Sequence, residues 1–142
     1  VTRLLCGTPP ILSLAALEEG VRTLAEVGMA ALRAKSVALT NLFIRLVDQT
    51  CGGHGLELAS PRDHARRGSQ VSMRLEHGYP VMQALIARRV IGDFRSPDLM
   101  RFGFAPAYLR FVDVWDAVTV MREILEDGSW DRPEHHARSR VT

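Results

Sequence analysis

GSQVSMRLE, residues 68–76, places Val71, Met73 and Leu75 at every second position with polar neighbours between them. That alternation marks a strand with one face on a core and the other in water. It decides the fold class, because it breaks the helical spacing that runs from Leu14 to Val47.

Upstream, Leu14, Leu17, Val21, Leu24 and Val27 recur at helical spacing after Pro9-Pro10, and Ser13 is placed to cap the start. Gly28 interrupts the pattern, which resumes at Leu32, Leu39, Leu42, Phe43, Leu46 and Val47. Two helices joined near Gly28 and one kinked helix fit equally well. Gly52-Gly53 ends the run, and Leu56 and Leu58 predict a short strand before the Ser60-Pro61 turn. Downstream, Tyr79 to Arg88 returns to helix with Val81, Leu85 and Ile86 inward. VIGDF and LMRFGF follow as strands around Ser96-Pro97. Val112, Trp115, Val118, Met121, Ile124 and Leu125 then trace an amphipathic helix ending near Gly128. The sum predicts an α+β domain over residues 1–130: long N-terminal helices, then a small, mostly antiparallel sheet covered by helices on one face. Residues 131–142 read as a polar, frayed tail.

The 142 residues suit one domain with a core of its own, and 46% hydrophobic with 24% charged residues is ordinary for a globular protein. A net charge of +2, spread along the chain, argues against nucleic acid as a partner. No apolar run approaches the roughly 20 residues that span a bilayer. Cys6 and Cys51 lie far apart without CxxC spacing, which predicts reduced thiols and a cytoplasmic location. The chain starts at Val1, not Met, and soon reaches the loop-like CGTPPI, as expected of a piece of a longer protein.

Several chemistries lack their sequence signals: there is no GxGxxG, P-loop, GxSxG or HExxH. His135-His136 lies in a polar tail, and a zinc site needs three or four convergent ligands, so no metal is expected. His54, His64 and His77 sit beside glycines or in loops and read as solvated. Cys6 has no neighbouring histidine to activate it. Lys35 is the only lysine, but it stands mid-helix and reads as part of a solvated face. Arg66 and Arg67 precede a glycine and a strand; the pair can attract an anion or simply decorate a surface loop.

Two positions carry more. In DLMRFGFAPAYLRF, residues 98–111, Arg101 puts a permanent charge on a mostly apolar stretch, where it requires an anionic partner. That partner is either a nearby carboxylate, Asp98 or Asp113, or a ligand whose carboxylate matches the guanidinium fork. Thr8, pinned by Pro9 and Pro10, offers a hydroxyl and a backbone N–H to a phosphate oxygen.

CGTPPILSLAALE, LRAKSVALTNLFI, SPRDHARRGSQVS, ARRVIGDFRSPDLMRFGFAPAY and FVDVWDAV resemble, in order and spacing, the C-terminal part of bacterial kynureninases. The resemblance covers essentially the whole chain. It implies the small C-terminal domain of a pyridoxal 5'-phosphate (PLP) enzyme of the aspartate-aminotransferase fold type. The implied reaction is hydrolysis of L-kynurenine, and often of its 3-hydroxy analogue, to anthranilate and L-alanine in tryptophan catabolism, on a homodimer with its cofactor site at the subunit interface. On this resemblance Arg101 matches the arginine that binds the substrate α-carboxylate, and Thr8 a residue that contacts the cofactor phosphate of the neighbouring subunit. Tyr108 follows the pattern and reads as packing. The cofactor lysine and most phosphate ligands belong to the large domain, and Lys35 does not match the lysine segment, so the chain alone is expected to be inactive. The rival reading is a free-standing, non-catalytic α+β interaction module of the same ancestry. A cysteine desulfurase of the same fold type would need a mobile-loop cysteine that neither Cys6 nor Cys51 resembles.

Overall fold

The computed structural model describes residues 7–137; Cys6 and residues 138–142 lie outside the described part. Helices α1 (Ile11–Val27) and α2 (Met29–Thr50) lead into a four-stranded antiparallel sheet of β1 (Glu57–Leu58), β2 (Gln70–Arg74), β3 (Asp93–Arg95) and β4 (Leu99–Gly103). Helix α3 (Gly78–Ala87) connects β2 to β3, α4 (Phe111–Asp127) follows the sheet, and α5 (Pro133–His136) closes the described chain. The sheet order is β1-β2-β4-β3. This is the expected small α+β domain.

The predicted alternation of β2 is realised. Val71 faces Phe102 and Met73 faces Met100 across the β2–β4 ladder, and all four are buried beneath the helices. Phe43 of α2 completes this layer, with its ring 5.0 Å from Phe102 and 5.2 Å from Phe104. The opposite face of the sheet carries Ser72, Arg74, Leu99 and Arg101 and remains partly open to solvent. Those two faces place the core and the candidate site on opposite sides of the same strand.

Gly28 divides the first helical run into two helices bent by 84°, settling the choice between a kink and a break. Its φ of +81° is one that glycine adopts freely. Ser13 does not cap α1: the helix begins earlier, and the Pro10 carbonyl already accepts from Leu14 N–H. Along α1 no residue is buried, and Leu14, Leu17, Val21, Leu24 and Val27 all lie exposed. On α4 the inward stripe is Val114, Val118, Met121, Ile124 and Leu125, whereas the expected Val112 and Trp115 face outward. Tyr108, expected to pack, is 76% exposed because it sits on the turn after Pro106 with its N–H bonded back to Ala105. The start of the expected tail forms the short helix α5, with Tyr79 Oη donating to the Ala137 carbonyl at 2.9 Å and His136 bonding to Asp131 at 2.9 Å. No single helix among the described residues is long and apolar enough to cross a membrane.

Arg67 corrects the surface-loop expectation for its segment. It is buried, and its Nη1 donates to the Pro61 carbonyl at 3.0 Å and to the Arg62 carbonyl, while Nη2 donates to Asn41 Oδ1. Arg33 adds bonds to the carbonyls of His64 and Arg67, and Ser36 meets Ser69 at 2.7 Å. The guanidinium thus pins the 61–69 loop to α2 with its donors spent on protein acceptors, although its Nε is buried without a partner. Arg67→Ala is expected to lower unfolding stability by about 2–3 kcal/mol, because it strands buried acceptors. Arg67→Lys should restore little, since an ammonium lacks the fork that reaches both sides at once. Equal urea midpoints for wild type and Arg67→Ala would count against this role.

Candidate functional site

The open face of the sheet brings Ser72, Asp93 and Arg101 side by side. Arg101 lies at its centre, in register with Ser72 of β2 on one side and Asp93 of β3 on the other. Its neighbours in sequence, Met100 and Phe102, point into the core, so the pleat leaves Arg101 no choice of face. The side chain is 32% exposed, less sequestered than its apolar surroundings in sequence suggest.

The anionic partner of Arg101 within the chain is neither Asp98 nor Asp113. Asp98 binds Arg74 Nε at 3.0 Å, and Asp113 caps α4 by accepting from Arg110 N–H at 2.7 Å and from the Arg110 side chain. Asp93 instead accepts through a single oxygen, Oδ2, from Arg101 Nε at 3.0 Å and from Arg101 Nη2. The same oxygen accepts from Arg95 Nε at 3.1 Å. The hydrogen bond from Arg101, with the charges of Arg101 and Arg95, holds the Asp93 carboxyl below its ordinary range. Nη1 of Arg101 makes no hydrogen bond among the described residues. The site can therefore take a further anion at an accessible, fixed guanidinium.

Thr8 sits in the bend before α1, exposed and without a hydrogen bond among the described residues. No hydrogen bond or ion pair among the described residues joins it to Arg101. Lys35 lies in the second turn of α2 and is half-buried, so it is less solvated than its sequence context predicts. Among the described residues no group of three or more His, Cys, Asp or Glu side chains converges as a metal site would require. Cys51 is buried, and desolvation pushes its thiol up, the reverse of an activated nucleophile. Asp93 was not singled out in the sequence: it is eight residues from Arg101, and only antiparallel register makes it a neighbour.

Beyond this face, an apolar cleft of about 370 Å³ opens between the end of α3, β4 and α4, lined by Val90, Ile91, Phe102, Phe104, Leu109 and Val114 among others. Its charged rim includes Arg88, Arg89 and Asp116.

Residues 32–121 match the family described as Kynureninase C-terminal domain. A protein named Kynureninase from Burkholderia mallei (strain ATCC 23344) is 53% identical over 142 residues, all of this chain and 34% of that protein. The Kynureninases of Burkholderia pseudomallei (strain K96243) and Pseudomonas fluorescens match with the same identity and coverage. The chain therefore spans about a third of the length of these curated relatives.

Proposed function

The chain belongs to the kynureninase family as its C-terminal domain, and from that premise we propose that it is the carboxylate-binding domain of a PLP-dependent enzyme hydrolysing L-kynurenine to anthranilate and L-alanine. The observation that carries this reading is Arg101: a partly exposed guanidinium on the polar face of the sheet, with one edge anchored and Nη1 without a hydrogen bond among the described residues. An α-amino acid carries a carboxylate that this edge can clasp. Holding that carboxylate would orient the bond to be cleaved, which lowers the barrier by positioning.

PLP supplies the electron sink for chemistry of this class, and the residues described here do not make a site for it. Lys35, the sole lysine, is embedded along α2, and Thr8 is a single exposed hydroxyl. The cofactor lysine and most phosphate contacts would come from the part of a kynureninase's length that these residues do not cover. Thr8 would then add a phosphate contact across a homodimer interface. The buried, free Cys51 thiol supports a reducing, cytoplasmic setting.

The rival reading, a free-standing interaction module, requires a domain closed on itself. The exposed stripe of α1, from Ile11 to Val27, weighs against it. Full-length polypeptide loaded with PLP is expected to release anthranilate from L-kynurenine, whereas the 142-residue chain is expected to be inactive and to self-associate. Light scattering and anthranilate fluorescence read both arms. A monomeric, soluble 142-residue chain would favour the module, and an inactive full-length protein would reject the enzyme.

A further inference from the structure

A guanidinium offers two edges to a carboxylate, the Nε–Nη2 edge and the Nη1–Nη2 edge. In this fold Asp93 takes the first. Its placement is built into the backbone. A Cβ on Gly92 would lie 2.6 Å from Met82 Cε of α3 and 3.1 Å from the Arg101 carbonyl oxygen of β4, so glycine lets the chain entering β3 pass close to both. The next residue, Asp93, is then in register with Arg101. Arg95 shares the same carboxylate oxygen at 3.1 Å, so two cations face one anion and the trio stays attractive to a further negative charge. The neighbouring Arg74 and Asp98 neutralise each other at 3.0 Å.

We infer that Asp93 is a positioning residue: by holding the Nε side of Arg101 it presents the Nη1–Nη2 edge to the ligand carboxylate, while Arg95 offsets the charge that Asp93 brings. This rests on Arg101 being the carboxylate-binding residue. An unanchored arginine samples many rotamers, and ordering it beforehand removes that loss from the binding step. Asp93 therefore acts through Arg101 and touches no reacting atom.

The experiment measures KM and kcat for L-kynurenine in PLP-loaded full-length polypeptide carrying Asp93→Asn, Arg101→Ala and both together. Asn is isosteric with Asp, and the position is half-exposed, so the fold is retained. Asp93→Asn is expected to raise KM about tenfold, the worth of one charge-assisted hydrogen bond, with kcat little changed. In the Arg101→Ala background the same change should not raise KM and should lower it slightly, because the favourable coupling runs through Arg101 and only the repelling carboxylate is left. If Arg101→Ala raises KM while Asp93→Asn leaves it unchanged or lowers it, the positioning role is overturned and the carboxylate reading stands. An equal Asp93→Asn effect in both backgrounds would mark a merely structural contact and also overturn it. If Arg101→Ala itself leaves KM unchanged, the carboxylate reading fails, and this inference with it.

Discussion

Arg101→Ala in PLP-loaded full-length polypeptide is expected to raise KM for L-kynurenine sharply, with a smaller change in kcat. Removing one partner of a hydrogen-bonded charge pair costs about 2–5 kcal/mol, which is roughly thirty- to several-thousand-fold in affinity at 1.4 kcal/mol per decade. Two features of the structure decide where in that range the effect falls. The side chain is about one-third exposed, so solvent screens part of the attraction and pulls the effect toward the lower end. Against this, Asp93 remains when Arg101 is gone, and its carboxylate then repels the ligand that Arg101 attracted. Arg101→Lys should recover only part of the loss, because an ammonium keeps the charge but not the two-pronged edge. Steady-state kinetics on the three proteins measure the effect; an unchanged KM for Arg101→Ala removes the basis for the assigned role.

Phe43→Ala is expected to be the most destabilising single truncation in the core. Its ring is 1% exposed and meets both Phe102 and Phe104 at centroid separations of 5.0 and 5.2 Å. Removing such a ring costs about 3–5 kcal/mol, through lost burial and the cavity left behind. Neighbours on β4 cannot easily collapse into that cavity, because Phe102 is held in register with Val71 across the ladder. Phe102 also follows Arg101 directly, so loosening the cluster should blur the site as well as weaken the fold. Urea unfolding of wild type, Phe43→Ala and Phe43→Leu tests this, with Phe43→Leu recovering much of the loss. A cost below about 1 kcal/mol would mean the site relaxes far better than a close-packed core does.

Much of the architecture was legible in local patterns, and the failures share one cause. The period-two alternation of Val71, Met73 and Leu75 located the sheet and its buried face correctly. Helical spacing located α2, α3 and α4 to within a few residues. Spacing alone, however, cannot show whether an apolar stripe has something to cover it. The stripe of α1 is as regular as that of α2, yet α1 buries nothing in this chain. On α4 a choice between overlapping stripes went to Val114 over Val112 and Trp115, because the packing of α2 against α4 sets the rotation of the helix. The end of α3 falls within one residue of its expected place at Arg88, although no glycine marks it. Arg89, with φ of +66°, holds the position where glycine is usual, while Val90 N–H closes on the Leu85 carbonyl at 2.9 Å.

The sequence by itself determined where the main helices and strands lie, while the face of β4 that Arg101 takes is read from the structure. Backbone geometry imposes those periods locally, and Met100 and Phe102 leave the alternate residue only one side. Only the tertiary structure decided which charge meets which. Asp98 and Asp113 are near Arg101 in sequence, but one is bound to Arg74 and the other caps α4. Asp93 is the partner because antiparallel register sets it directly opposite. Arg67, similarly, became a buried clamp only when the 61–69 loop folded onto α2. Electrostatic partners follow from distances across strands and loops, and chain order alone does not encode those distances.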